Sequence, residues 1–146
     1  MPFTIRPVSP TSYDTLIDIW EKSVRATHDF LKEEDLLFYR PLILNEYFKA
    51  VRLVALWKDE SIAGFAGVAD KNLEMLFIHP DFFGKGFGKT LLNYCLKELE
   101  VEKVDVNEQN EQALGFYLHM GFEVTERSAL DSMGKPYPVL HMLLKK

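Results

Sequence analysis

The 146-residue sequence contains a single cysteine, Cys95, which excludes an internal disulfide and zinc sites built from cysteine pairs. Its longest apolar runs, at 65–69 and 140–144, fall far short of the ~20 residues that span a bilayer. The first residues carry neither the basic nor the apolar segment of a secretory leader. We therefore expect a cytoplasmic protein with no membrane segment and no bound metal.

Positive charge is also scarce, since 17 basic residues stand against 22 acidic ones for a formal net charge of -5. A general nucleic-acid binder needs a positive field that displaces counterions from phosphates. The balance argues against that class and weakly favours a cationic or amine-bearing partner.

Hydrophobic residues make up 47% of the chain and charged residues 27%, as in a compact globular protein. No repeat, low-complexity tract or flexible linker interrupts the sequence. We expect one domain over residues 1–146, large enough to bury roughly 70% of its unfolded surface.

Apolar spacing predicts alternating helices and strands. Strands are predicted at Phe3–Val8, Leu53–Trp57, Ile62–Val68, Leu73–Ile78, Lys103–Val106, Phe122–Arg127 and Val139–Leu144. A first helix follows the cap-type residues at 9–12 and runs to about Thr27, and a second spans Glu33–Ala50, where Pro41 predicts a kink or two shorter helices. Two more helices contain Leu91–Leu99 and Ala113–Met120, the latter closed by Gly121.

This order predicts a mixed α/β fold with a mainly antiparallel central sheet flanked by helices. The strand at Leu73–Ile78, the helix after it and the strand at Lys103–Val106 form one βαβ crossover, which we expect to be right-handed. Ligands bind open α/β sheets beyond the carboxyl ends of such strands. The loop at 80–90 is therefore the expected ligand site.

That loop places glycines at alternate positions, 84, 86 and 88, just before a strongly patterned helix. Such a backbone can turn N–H groups toward a phosphate, although an ordinary strand-to-helix turn would also use glycine. A P-loop requires its first glycine where Phe83 stands, and a dinucleotide fingerprint requires G-x-G-x-x-G rather than G-x-G-x-G. The diphosphate of coenzyme A is the third possibility.

The loop resembles the acyl-coenzyme A signature of the GNAT N-acetyltransferases, since the apolar strand end and Pro80 lead into Phe83-Gly84-Lys85-Gly86-Phe87-Gly88. Phe83 replaces the family's usual Gln or Arg. The segment at 106–117, followed by Gly121-Phe122, is similar to the family's second cofactor segment. The flanks at 23–31 and 134–138 resemble a small bacterial branch, some of whose members are described as protein-lysine acetyltransferases.

The resemblance implies the residues that hold acetyl-coenzyme A. The strand around Leu76 would splay from its neighbour, bind the pantetheine arm and polarise the thioester carbonyl with an N–H group. Asn107 and Asn110 would line the other wall, although Asn after a strand is more often a turn residue. The full set of cofactor-binding candidates is Leu76, Phe77, Ile78, Phe83, Gly84, Lys85, Gly86, Phe87, Gly88, Lys89, Asn107, Asn110 and Phe116.

The resemblance also implies that Tyr117 protonates the departing thiolate as general acid. Glu74, which strand alternation places with Leu76 and Ile78, is the candidate base, acting through water. His79 is assigned a structural or cofactor-side role. The acceptor-side candidates are His28, Asp29 and Tyr137. His28 is either a second candidate base or an acceptor contact, with a satisfied loop histidine as the alternative. An amine that enters already neutral needs no dedicated base.

The predicted function is direct acetyl transfer from acetyl-coenzyme A to a primary amine, either a protein lysine or N-terminus or a small molecule. No Ser-His-Asp set is legible in the sequence, and Cys95 sits on an apolar helix face that disfavours a thiolate. The alternatives are a non-catalytic acyl-coenzyme A sensor and a nucleotide-binding P-loop protein. Exposed strand edges and the aromatic stretch at 38–48 allow a homodimer without requiring one.

Overall fold

The computed structural model describes residues 3–145 and contains one seven-stranded sheet in the order β1-β2-β3-β4-β5-β7-β6. Every neighbouring pair is antiparallel except β4 and β5. The strands are β1 Phe3–Pro7, β2 Arg52–Lys58, β3 Ser61–Ala69, β4 Asn72–Ile78, β5 Lys103–Asn107, β6 Phe122–Ser128 and β7 Val139–Leu144. The predicted mixed fold is confirmed.

Helices cover both faces of the sheet. They are α1 Tyr13–Thr27, α2 Glu33–Leu42, α3 Phe48–Ala50, α4 Phe87–Glu98 and α5 Glu111–His119. Short 3₁₀ turns at Pro10–Ser12 and Pro80–Phe82 precede α1 and the glycine loop. None of the helices within residues 3–145 is long and apolar enough to cross a bilayer.

The prediction of an interruption near Pro41 is confirmed in an altered form. Residues 33–50 stay helical, but the hydrogen bonding changes to a π-helical turn over Ile43–Tyr47 between α2 and α3. Pro41 has no N–H group for the Leu37 carbonyl, so the α-helical ladder loses one bond shortly before the π-helical turn begins.

Two hydrophobic cores pack on opposite faces of the sheet. The first lies under α4 and α5 and includes Leu91, Cys95, Val104 and Met142. The second lies under α1 and α2 and includes Trp20, Phe48 and Phe65. Cys95 is fully buried, as predicted, and burial raises the pKa of its thiol to about 12.

Candidate functional site

The cleft opens where the parallel strands β4 and β5 separate. They are paired at Asn72 with Lys103 and at Leu73 with Val104, and that pairing stops there. Beyond that point lies a cavity of about 410 Å³. Its walls include the second half of β4, the glycine loop, the end of β5 and one face of α5. The structure thus places a cleft at the predicted end of the crossover strand.

A β-bulge in β4 shapes one wall of this cleft. Gly67 of β3 lies opposite Met75, while Val68 lies opposite Leu73, so Glu74 is the extra residue. Strict alternation is interrupted there, with Leu73 in the first core and Met75 in the second. The alternation that grouped Glu74 with Leu76 and Ile78 is therefore broken at Glu74 itself, although Glu74 does line the cleft beside them.

The glycine loop begins with a capped turn. The ring Nδ1 of His79 accepts the Asp81 backbone N–H at 3.0 Å, which confirms a structural role for this histidine. Gly84 and Gly86 then take positive φ angles of 76° and 80°, and Gly86 is the N-cap of α4. Side chains rarely adopt that backbone conformation, which explains why the loop uses glycine at these two positions.

The start of α4 offers backbone donors to an anionic group. The helix's first hydrogen bond runs from the Thr90 N–H to Gly86 O at 3.1 Å, so the N–H groups of Phe87, Gly88 and Lys89 precede it. A Cβ built on Gly86 would meet nothing within 4 Å, which shows that the space above the loop is open. Backbone donors and the helix dipole there suit a phosphate.

Most cofactor-side candidates from the sequence lie together on the cleft wall. Leu76, Phe77, Ile78, Phe83, Gly84, Gly86, Phe87, Gly88, Asn107, Asn110 and Phe116 all line the cavity. Lys85 and Lys89 are exposed and lie outside the lining, so the loop reaches the cleft with its backbone and with Phe83 rather than with its cations. The binding role of each residue stays a prediction.

The two asparagines of the second cofactor segment shape the local backbone. Asn107 Oδ1 accepts the Gln109 N–H at 3.0 Å, and Asn110 Oδ1 accepts the Ala113 N–H at 3.2 Å as the N-cap of α5. Both are thus turn or cap residues on the cleft wall. Contact with pantetheine stays a prediction for them.

Tyr117 lies at the base of the cleft on α5. Its ring packs between Phe116 and Phe122, at centroid distances of 5.2 and 5.8 Å, and its side chain is buried. Burial, with a smaller contribution from Cys95, raises the pKa of Tyr117 above its usual value near 10. The phenol therefore holds its proton at neutral pH, which a general acid requires.

The structure separates the three acceptor-side candidates. His28 lines the cleft, and its Nδ1 lies 2.7 Å from Thr27 Oγ1. Burial lowers the pKa of His28 to about 4, so its ring is neutral at pH 7. Asp29 is exposed outside the cleft lining, and Tyr137 is buried with its hydroxyl donating to Asp35.

A second cavity, of about 700 Å³, adjoins the cleft, and we call it the acidic cavity. It shares Glu74, Met75 and Asp105 with the cleft lining. No Lys or Arg occurs among its described lining residues. Its apolar and aromatic walls are Tyr47, Ala50, Val51, Ala69, Met75, Leu130, Met133 and Val139, and its polar ones are Glu74, Asp105, Ser128, Asp131, Ser132 and His141.

A Ser–His–Asp hydrogen-bonded set, which no sequence motif marks, lines this acidic cavity. Ser128 Oγ lies 2.7 Å from His141 Nε2, and His141 Nδ1 lies 2.7 Å from Asp105 Oδ1. The residues come from three strands, β6, β7 and β5, and meet through sheet pairing. The sequence signal that could have found them is the alternation of polar and apolar residues along a strand, because Asp105 and His141 each stand between two buried apolar neighbours.

The loop between β6 and β7 is tied to α2 by a second polar network that sequence reasoning missed. Tyr39 donates to Asp131, and the Lys135 ammonium lies 2.9 Å from Asp35 Oδ1. Tyr137 and Lys135 together lower the pKa of the Asp35 carboxyl, with the Tyr137 hydrogen bond as the larger cause. This network fixes one wall of the acidic cavity.

Residues 25–133 match the family described as "Acetyltransferase (GNAT) domain". The chain is 39% identical over 143 residues to the peptidyl-lysine N-acetyltransferase YjaB of Salmonella typhimurium, covering 98% of this chain and 99% of that protein. It is equally 39% identical over 142 residues to the Escherichia coli protein of the same name, covering 97% of each.

Solved structures agree with these sequence matches. The solution structure of apo-YjaB from Escherichia coli superposes with a TM-score of 0.87 at 38% identity, over 98% of this chain and 97% of that one. The PaiA N-acetyltransferase of Thermoplasma acidophilum, crystallised with coenzyme A, gives a TM-score of 0.73 at 20% identity, covering 97% and 98%. At 20% identity, the match to PaiA shows a shared fold and nothing further.

Proposed function

The chain belongs to the GNAT acetyltransferase family, and from that premise we propose that it transfers acetyl from acetyl-coenzyme A to the side-chain amine of a protein lysine. The observation that supports this is that the cleft beside the glycine loop and the acidic cavity share Glu74 and Asp105 in their linings. A donor and an acceptor can then approach one point from two openings, which suits direct transfer in a ternary complex.

The glycine loop and β4 would hold the cosubstrate. The N–H groups at the start of α4 would bind the diphosphate, with Phe83 against the coenzyme and Lys85 and Lys89 as outlying point charges. The β4 backbone from Leu76 to Ile78, which β5 leaves unpaired, would pair with pantetheine and direct an N–H at the thioester carbonyl. Bound acetyl-coenzyme A supplies the acetyl thioester and leaves as a thiol.

The acidic cavity supports a lysine acceptor. Its carboxylates at Glu74, Asp105 and Asp131 attract an ammonium group, and its apolar walls suit the four-carbon stem of a lysine side chain. Burial raises the pKa of Glu74, while its Asn72 hydrogen bond opposes that change. Glu74 would meet the ammonium at the junction with the cleft. The two YjaB relatives are peptidyl-lysine N-acetyltransferases, which agrees with this acceptor.

Tyr117 would donate the proton to the departing thiolate. It lines the cleft, and its raised pKa keeps the donor protonated over the working pH range. A placed acid of this kind contributes about 10² to 10⁴ in rate. Neutral His28 would contact the acceptor side of the cleft, with exposed Asp29 beside its entrance and buried Tyr137 supporting the adjoining loop.

The experiment is acetyl transfer to a lysine peptide, read by mass spectrometry of the peptide and by release of coenzyme A thiol. Acetylated lysine with stoichiometric thiol supports the proposal. Binding of acetyl-coenzyme A with no thiol released to a panel of amines would support the sensor alternative instead. Thermal stabilisation by ATP-Mg in place of acetyl-coenzyme A would support the P-loop alternative.

We also propose that residues 1–146 act as one domain in the cytoplasm. The single sheet spans the described chain from β1 to β7, and the only cysteine is a buried thiol. The sheet ends in the edge strands β1 and β6, whose unpaired backbone groups offer a place for a second copy of the chain to pair. Light scattering would show whether such a homodimer forms.

A further inference from the structure

The Ser128–His141–Asp105 set has one internally consistent proton arrangement. Asp105 faces His141 Nδ1 as an acceptor, so that ring nitrogen carries the hydrogen. Nε2 is then unprotonated and accepts the hydroxyl hydrogen of Ser128. The Ser128 oxygen consequently keeps its lone pairs for a donor that enters the acidic cavity.

The Ser128–His141–Asp105 set lies where an incoming amine substrate can reach it, and it is not a buried structural network. All three residues line the acidic cavity, and the His141 side chain is 34% exposed. The charged groups around the imidazole come from several elements. They are Asp70, Glu74 and Lys103 near the β4–β5 start, Glu126 opposite on β6, Asp105 on β5 and Asp131 in the following loop.

Geometry separates the two proton acceptors that this cavity offers. Asp105 holds His141 at Nδ1 and Ser128 contacts it at Nε2, so a proton that reaches Nε2 forms an imidazolium that the neighbouring aspartate stabilises. Glu74 already accepts from Asn72 and stands at the junction, which suits holding the cation.

We propose that Ser128 and His141 relay the proton off the acceptor lysine, with Asp105 as a positioning residue and Glu74 holding the ammonium. The inference rests on the proposed lysine acetyltransferase function. One ammonium N–H bond breaks as its proton moves to Ser128 Oγ, and the Ser128 hydroxyl proton moves to His141 Nε2. A neutral amine and an imidazolium paired with Asp105 result. The exposed ring then returns the proton to solvent.

The test compares two acceptor peptides that differ in one group. One carries lysine, which is charged at pH 7, and the other carries an aminooxy analogue of lysine, which is neutral at pH 7. We expect His141→Gln to lower kcat on the lysine peptide about 10²-fold at pH 7 and to change kcat on the aminooxy peptide less than about 2-fold. The lysine defect should shrink as pH rises towards 10.

Matched variants separate the relay from general damage. Ser128→Ala should reproduce the acceptor-dependent defect, whereas Glu74→Gln should raise KM for the lysine peptide more than it lowers kcat. His119→Gln, an exposed histidine at the end of α5, should leave both acceptors unaffected. Cooperative melting of each variant, at the wild-type temperature or, for Glu74→Gln, above it, shows that the fold is retained.

Nitrogen NMR of the side chain provides a readout that needs no turnover. The proposal expects the hydrogen of neutral His141 on Nδ1, and a shifted tautomer population in Asp105→Asn. Equal kcat losses on both peptides, no loss in His141→Gln, or a hydrogen on Nε2 would overturn the relay. A wild type inactive on both peptides would instead overturn the proposed function, and the relay with it.

Discussion

His141 Nδ1 lies 2.7 Å from Asp105 Oδ1 across the register pair that joins β7 to β5. The neighbours of both residues along their strands are buried apolar side chains, so this hydrogen-bonded pair stands on the opposite face of the sheet. That face borders the acidic cavity. This part of the sheet therefore packs on the first hydrophobic core with one face and borders the acidic cavity with the other.

Tyr117→Phe should lower kcat by about 10² or more while leaving the affinity for coenzyme A nearly unchanged. The change removes the donating hydroxyl and keeps the ring that packs between Phe116 and Phe122. Steady-state kinetics provides kcat, and calorimetric titration provides the affinity for coenzyme A. Tyr94→Phe on α4 is the control, and a Tyr117→Phe enzyme with the parent's kcat would reject this residue as the acid.

Gly86→Asp should abolish coenzyme A binding, because it places a carboxylate at the mouth of the proposed diphosphate site. Gly134→Asp is the matched control, since Gly134 has nearly the same φ, 77° against 80°, and equally open surroundings. Both variants thus carry a similar backbone strain. Calorimetry that shows the same coenzyme affinity in both would contradict the loop assignment.

Glu74→Gln should weaken lysine binding and, at the same time, stabilise the fold at neutral pH. Burial raises the pKa of Glu74 in the folded protein, so folding disfavours its ionised form. That destabilisation is absent at pH values below the pKa of Glu74 in the unfolded chain, and it is complete at pH values above its pKa in the folded protein. Denaturation should show a higher free energy of unfolding for Glu74→Gln than for the parent at pH 7 but not at pH 3. The control variant Glu60→Gln should match the parent at both pH values. A loss of stability at pH 7 would refute this.

His28 should make the fold less stable as pH falls from about 6.5 to about 4. Burial lowers the pKa of His28 to about 4, so in this window the unfolded chain binds a proton that the folded protein does not. Urea denaturation of His28→Gln should show a smaller loss of unfolding free energy between pH 7 and pH 5. Parallel curves for the variant and the parent would disprove it, and His119→Gln should follow the parent.

The sequence was informative where chemistry is local. Apolar periodicity predicted the strands and helices, and the predicted left-handed closure at Gly121 is found at φ 99°. The glycine loop could be identified because a short stretch of backbone dictates its composition. The GNAT assignment that grew from these motifs is confirmed by the family match over residues 25–133.

What could not be predicted depends on pairing between distant strands. The bulge at Glu74 arises from a register shift against β3, and single-strand alternation carries no sign of it. Ser128, His141 and Asp105 meet only after β5, β7 and β6 assemble. The separation of Tyr137 from the cleft likewise follows from its hydrogen bond with Asp35, 102 residues away in the chain.

The most direct test is a crystal structure of the protein with coenzyme A joined through its acetyl carbon to a lysine peptide. Our account predicts the diphosphate on the N–H groups of Phe87, Gly88 and Lys89, the sulfur beside the Tyr117 hydroxyl, and the lysine stem in the acidic cavity. A diphosphate bound away from the glycine loop, or a lysine that enters elsewhere, would contradict it.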